Sequence, residues 1–198
     1  MKTVAVTGGI GSGKSTVCAI LSARRIPVYE ADSAAKRLYA KDDSLLDSIE
    51  EAYGCGIRLP GGALDTRKLA GIAFSSPEKL RILEGIVHPA VLKDFLRWRA
   101  LQATLHADMP FCVIESAIIL SKPEFLSKVD KVVLVEASLS TRLKRACERD
   151  GVEPEEIIRR MSAQHFDLSK VDAILRNEGT ASDLESETDR VFRTLDLR

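Results

Sequence analysis

The stretch VAVTGGIGSGKST, Val4 to Thr16, changes character twice. Thr3 to Thr7 is apolar and β-branched and predicts a buried strand. Glycines then crowd the segment Gly8 to Gly13, and Lys14-Ser15-Thr16 follows. Ser15 to Ala23 places Val17, Ile20 and Leu21 at helical spacing. A glycine-rich loop between a strand and a helix can curl with its N–H groups inward, beside the positive end of the helix dipole. The spacing Gly8, Gly13, Lys14, Ser15 fits G-x-x-x-x-G-K-[ST]. In that pattern Gly8, Gly11, Ser12 and Gly13 cradle phosphates, Lys14 reaches the outer phosphates, and the Ser15 hydroxyl binds Mg²⁺. A lysine in the first helical turn opposes the dipole, so its placement favours a bound anion. Thr16 is expected at the α-phosphate.

Composition narrows the setting. The 198 residues suit one compact domain with an insertion, or two small ones, and 45% hydrophobic content suffices for a core. Zero net charge argues against a broad nucleic-acid surface. Cys18, Cys55, Cys112 and Cys147 are far apart without a C-x-x-C pair, and His88, His106 and His165 are scattered. Free thiols in a reducing compartment are therefore expected, and no metal-ligand cluster. The N-terminus leads directly into a strand, without a signal-peptide pattern, and no apolar run would span a bilayer. A cytoplasmic protein without a membrane partner is expected.

Strand and helix signals alternate along the chain. Ile26–Asp32, Phe111–Glu115, Lys131–Ala137 and VDAILRNEG read as strands or strand and turn. The segments 33–40, 42–54, 138–150, 153–164 and 182–195 read as helices. From Asp65 to His106 the pattern is helical, with a boundary at His88-Pro89, because a residue before proline disfavours the α region. The alternation implies an α/β fold with a mainly parallel sheet covered on both faces. Ligands in such sheets bind at the carboxyl ends of the strands, where Asp32 and Glu115 are expected to stand.

A phosphate loop alone does not name a function. A GTP-dependent switch would carry N-K-x-D, but the single asparagine, Asn177, is followed by Glu178. A remodelling ATPase would show a strand ending in Asp or Asp-Glu, which FCVIES matches only in part. A kinase needs a carboxylate at the acceptor hydroxyl and cations over the transferring phosphoryl group. Asp32 and the arginine-rich segment from Arg142 to Arg160 can supply both.

Further segments carry a resemblance to the dephospho-CoA kinase family. VTGGIGSGKST is close to that family's start, and EADSAAKRLY resembles its second-strand motif. LDTRKLAGIAFSSPEKLRILEGIVHPAV resembles its CoA-domain signature, through Asp65, Arg67, Leu69, Phe74, Leu83, Glu84, His88 and Pro89. RLKRACERDGV looks like the start of its lid, RRMSAQ resembles its Arg-x-x-x-Gln (Arg160, Gln164), and VDAILRNEG resembles the strand and turn near its adenine site. These matches run in order across nearly the whole chain. One segment departs: where many members carry Pro-Leu-Leu-Phe-Glu, this chain reads ESAIILSKP, so that glutamate's role does not carry over.

The resemblance implies phosphorylation of the ribose 3′-hydroxyl of dephospho-CoA by ATP, with Mg²⁺, as the last step of coenzyme A biosynthesis. A nucleotide or sugar-acid acceptor is the alternative within the kinases. The implied architecture is a three-layer P-loop kinase core (1–39, 107–138 and 168–198), a helical CoA-substrate domain (40–106) and a helical lid (139–167). Asp32 is the expected general base, standing at a strand end and also suited to cap the following helix. Arg142, Arg145 and Arg149 share a helix face at spacings of three and four, with Arg145 and Arg142 assigned to ATP phosphates. Arg67, His88 and Arg160 are assigned to the acceptor, although His88 before proline also suits a structural corner. Asn177 and Gly179 are expected to shape the adenine pocket. Trp98 reads as packing rather than a base-stacking platform.

Overall fold

The computed structural model describes residues 1–162, 164 and 166–197; Ala163, His165 and Arg198, the first two within the expected lid, lie outside the described residues. In chain order the elements are β1 (Lys2–Gly8), α1 (Lys14–Ala23), β2 (Val28–Glu30), α2 (Ala31–Lys41), α3 (Asp43–Tyr53), α4 (Thr66–Ala73), α5 (Pro77–Leu105), β3 (Phe111–Glu115), α6 (Pro123–Leu126), β4 (Lys131–Glu136), α7 (Leu139–Asp150), α8 (Pro154–Ser162), β5 (Ala173–Arg176) and α9 (Ala181–Thr194). They divide into two compact units, Met1–Glu30 with Leu101–Arg198, and Ala31–Ala100.

In the first unit the strands form one parallel sheet in the order β2-β3-β1-β4-β5. Side chains alternate across a strand, so Val4 and Val6 face one side and Ala5 the other. Both sets are fully buried, as a parallel sheet covered on both faces requires. Val4, Val6, Val113, Val133 and Val135 pack with Val17, Cys18 and Leu21 of α1 and with Leu184 and Val191 of α9. Phe111 and Phe192 stack with ring centroids 5.7 Å apart. Burial of Val17 and Leu21 stabilises this layer by about 1.5–3 kcal/mol each. The order reverses direction at β1, which pairs with β3 on one side and β4 on the other. The loop after β1 therefore opens at the switch point of the sheet, where ligands bind. Later in this unit α7 and α8 share a small core of Ala146, Ile157 and Met161, against which Ile10 of the glycine loop packs.

The second unit is helical. It begins at Ala31 rather than at residue 40, because α2 packs with α3, and it ends at Ala100 within α5. Asp42 caps α3 by accepting from the Leu45 N–H, and Gly54 closes it in the left-handed region. Asp65 caps α4 by accepting from the Lys68 N–H. The expected boundary at His88-Pro89 is not found: α5 continues through Pro89. Val87, Val91 and Phe95, spaced by four, form one buried stripe on both sides of the proline. That stripe outweighs the loss of one helical hydrogen bond. Trp98 stacks on Phe95 at 6.1 Å, within packing as expected.

Candidate active site

The loop after β1 is held from outside. Gly11 has φ 76° and Gly13 φ 98°, both in the region that side chains rarely adopt. A Cβ on Gly11 would strike the backbone carbonyl of Arg142, and one on Gly13 would strike the side-chain nitrogen of Asn177. The Ser12 N–H donates to the Gly9 carbonyl at 3.1 Å and tightens the curl. Gly13 precedes α1 with no side-chain cap, and the first turn holds no acidic residue. The exposed hydroxyls of Ser15 and Thr16 lie in that turn. The orphan N–H groups of a helix start are thus left for an anion.

Lys14 bends back over the loop. Its Nζ donates to the Gly8 carbonyl at 2.9 Å and the Gly9 carbonyl at 3.4 Å, and stands 4.0 Å from Glu115 Oε1. Glu115 ends β3, is 9% exposed, and pairs in register with Glu30 at the end of β2. Both carboxylates act electrostatically on Cys18 of α1. Burial first, then Glu115 and Glu30, push the Cys18 thiol up to about 12, partly opposed by Lys14. Cys18 is therefore a neutral thiol, not a nucleophile.

The arginines of α7 divide rather than act as one face. The Arg142 guanidinium lies against Gly9. Arg145 donates from Nη1 to the Asn177 carbonyl at 3.1 Å and from Nη2 to Asn177 Oδ1 at 3.4 Å. Arg149 pairs with Asp150 at 2.7 Å, and Arg160 of α8 pairs with the same carboxylate at 3.2 Å. Arg145, Asn177, Gly179 and Thr16 line a cavity of about 220 Å³ beside Gly13. A second cavity, of about 200 Å³, is lined by Gly9, Glu136, Arg142 and Gln164. Three buried polar atoms have no partner among the described residues: Thr7 Oγ1, Ser12 Oγ and Arg142 Nε. All three belong to the loop, the strand that feeds it, or the arginine against it. Uncompensated burial of such groups is costly, so their clustering marks a place built for a polar ligand.

The remaining predicted residues lie in the helical unit. Asp32 does not end a strand: β2 stops at Glu30, and Asp32 is an exposed residue in the first turn of α2. It therefore is not the cap of that helix. Ala31 already adopts helical geometry, and an acid in a first turn is favoured by the dipole. Arg67 is exposed in the first turn of α4. His88 is half-buried inside α5 and marks no corner.

Three polar links escape sequence reasoning. Gln164 Oε1 accepts from the Ile10 N–H at 2.9 Å. Asn177 Nδ2 donates to the Ser12 carbonyl at 2.8 Å. The Glu178 carboxylate accepts from the Ser138 N–H and from the Thr141 hydroxyl, and the Ser138 bond first of all holds its carboxyl below the usual range. The only signals were the Arg-x-x-x-Gln pattern for Gln164 and the Asn-x-Gly turn for Asn177; Glu178 had none.

The family model for dephospho-CoA kinase matches residues 2–183. A dephospho-CoA kinase of Porphyromonas gingivalis is 39% identical over 169 residues, covering 85% of this chain and 80% of that protein. One from Chlorobaculum tepidum is 35% identical and covers 97% of this chain and 94% of its own. A crystal structure from Thermus thermophilus superposes with a TM-score of 0.74 at 32% identity, over 98% of this chain and 97% of that one.

Proposed function

The chain belongs to the dephospho-CoA kinase family, and on that premise we propose that it transfers the γ-phosphoryl group of ATP to the ribose 3′-hydroxyl of dephospho-CoA. The products are coenzyme A and ADP. The observation that carries the nucleotide half is the uncapped start of α1 with Lys14 folded over the loop before it. The family carries the identity of the acceptor and the kinase activity, and disfavours a nucleotide, sugar-acid or GTP-switch reading.

In the reaction the 3′-oxygen forms a bond to the γ-phosphorus while the bond from that phosphorus to the ADP oxygen breaks. Catalysis of such a transfer is mostly positioning and charge stabilisation. We assign the loop N–H groups and Lys14 to the phosphates, with Lys14 exchanging its loop carbonyls for phosphate oxygens. Two of the five N–H groups of Arg145 are taken by Asn177, and we assign the rest to the nucleotide. Arg142, against Gly9, serves the same phosphates. Asn177 and Gly179 border the base through the cavity they line. Asp32 receives the proton of the 3′-hydroxyl; chain continuity sets it two residues past Glu30, the end of β2. Arg67, His88 and Arg160 are assigned to the acceptor, and segment 139–167 to a lid.

Mg²⁺ fits the donors available. No cluster of three His, Cys, Asp or Glu residues forms a metal cage among the described residues, and Ser15 presents an exposed hydroxyl. Mg²⁺ is commonly held by one or two protein oxygens, phosphates and water, and when bound it neutralises charge on the β- and γ-phosphates. Ser15 would hold it. No helix among the described residues is long and apolar enough to cross a membrane. We place the reaction in the cytoplasm, without membrane or nucleic-acid partner, a reading supported by widely spaced cysteines, none in a C-x-x-C pair.

The test is an ADP-release assay with ATP, Mg²⁺ and a panel of dephospho-CoA, nucleoside monophosphates, shikimate and gluconate. Turnover should require dephospho-CoA. ADP formed with another acceptor, and not with dephospho-CoA, would refute the assignment.

A further inference from the structure

We infer that the side chain of Asn177 is a positioning residue for the phosphate cradle: by holding the Ser12 carbonyl, it aims the Gly13 N–H at the nucleotide's phosphates. The inference rests on the loop binding those phosphates and is independent of the acceptor.

Asn177 is unusually constrained. It follows β5, and its N–H donates to the Glu136 carbonyl at 2.8 Å, which extends the β4–β5 ladder by one rung. The residue is 5% exposed. Its two side-chain arms are chemically different and each meets its complement. Nδ2 donates to the Ser12 carbonyl at 2.8 Å, and Oδ1 accepts from Arg145 Nη2 at 3.4 Å. A flipped amide would set oxygen against the Ser12 carbonyl and N–H against a guanidinium. The partners therefore fix its orientation.

The consequence for the loop follows from the peptide bond. In a trans peptide the carbonyl of one residue and the N–H of the next point in opposite directions within one plane. No cis peptide occurs among the described residues. With the Ser12 carbonyl drawn to Asn177, the Gly13 N–H must point away from it. That N–H has no hydrogen-bond partner among the described residues. It stands at the start of α1, where the dipole already favours an anion. The missing Cβ of Gly13 completes the device, since a side chain there would strike Asn177 Nδ2 and push the amide off the Ser12 carbonyl. Arg145 bonds the opposite arm of the same amide, so one side chain sets both a cradle N–H and the α7 cation.

The experiment uses the full chain as wild type, Asn177→Leu and Asn177→Ala. Leucine keeps the approximate shape without the hydrogen bonds or added charge; alanine guards against a leucine variant that does not fold. Affinities for ATP and for inorganic tripolyphosphate are measured by calorimetry, beside a thermal melt. ¹⁵N-glycine labelling follows the Gly13 amide during the tripolyphosphate titration. Loss of one aimed donor should weaken both ligands about 5- to 30-fold in either variant. The Gly13 amide proton should move downfield on tripolyphosphate binding in the wild type and lose that response in the variants. Three results would overturn the inference: a folded variant that binds tripolyphosphate within about two-fold of wild type, a loss confined to ATP, or an unaltered Gly13 response. A loss confined to ATP would instead place Asn177 in the base pocket alone.

Discussion

Two helix starts in the same unit, those of α1 and α9, are built in opposite ways. At α9 the Thr180 hydroxyl accepts from the Asp183 N–H, and the Asp183 carboxylate accepts from the Thr180 N–H, so two orphan donors are satisfied reciprocally. At α1 the preceding residue is Gly13, no side chain caps the helix, and a lysine rather than an acid occupies the first turn. The helices α3, α4 and α7 follow the α9 pattern, with Asp42, Asp65 and Ser138 as caps. A cap contributes about 0.5–2 kcal/mol. At the mouth of the loop α1 forgoes it and places a cation in its first turn, against its own dipole. Stability is given up at α1 where a ligand can restore it.

A third kind of start, at α2, bears an acid that does not cap, and variants at the three sites separate their purposes. The largest effect is expected at α1. Lys14→Ala should lower kcat by about 10³-fold or more, because the lysine meets charge on the transferring phosphoryl group. The melting temperature should hold, since its bonds to Gly8 and Gly9 are local. Unchanged kcat would remove the loop from the mechanism. At α2, Asp32→Asn keeps the shape and removes the basic oxygen. Turnover should fall about 10²–10⁴-fold while ATP affinity and the melt stay near wild type. Near-normal turnover would return Asp32 to a dipole partner and leave the base unassigned.

The α9 cap should show the reverse signature. Thr180→Ala should cost about 1 kcal/mol, or about 2–4 °C in Tm, with kcat little changed. A large change in kcat without loss of Tm would contradict the contrast between the two helices. The smallest effect is in acid. The Thr180 hydroxyl, then the Thr180 N–H, hold the Asp183 carboxyl below its ordinary range. A depressed folded value stabilises the protein above the unfolded carboxylate's pKa, and the benefit is lost as pH falls through the folded value. Asp183→Asn should therefore flatten the acid limb of a Tm-against-pH curve slightly, by lowering Tm a little at neutral pH and leaving it almost unchanged in strong acid. A steeper acid limb would reverse the sign of this account.

The contrast also shows which features a sequence can reveal. VAVTGGIGSGKST is legible because loop, lysine and helix start are contiguous, and each residue's task is set by its immediate neighbours. Local chemistry likewise gave α3 its stop at Gly54. Asp32 was misplaced by one element, because Tyr29-Glu30-Ala31-Asp32 suits strand and helix equally and tertiary context chose the helix. Pro89 reads as a break in the sequence because proline's local penalty is legible there, whereas the stripe of Val87, Val91 and Phe95 overrides it through packing. The division of labour among Arg142, Arg145 and Arg149 was illegible, since it depends on Gly9, on Asn177 and on an acid shared with Arg160. Periodicity reports which residues share a face; it does not report what that face meets.

The strand order has a consequence for the order of assembly. β1 is the first strand made, yet its neighbours are β3 and β4, with Lys2 opposite Phe111 and Val4 opposite Lys131. The whole helical unit from Ala31 to Ala100 is synthesised between β1 and its first partner. Its contacts are close in the chain, so it can collapse while the central strand still has nothing to pair with. The glycine loop, which depends on β1, on Arg142 and on Asn177, can take shape only when the last strand has left the ribosome. A nascent chain stalled before residue 173 would thus carry a formed helical module and no nucleotide cradle, and its apolar first strand would be left to chaperones.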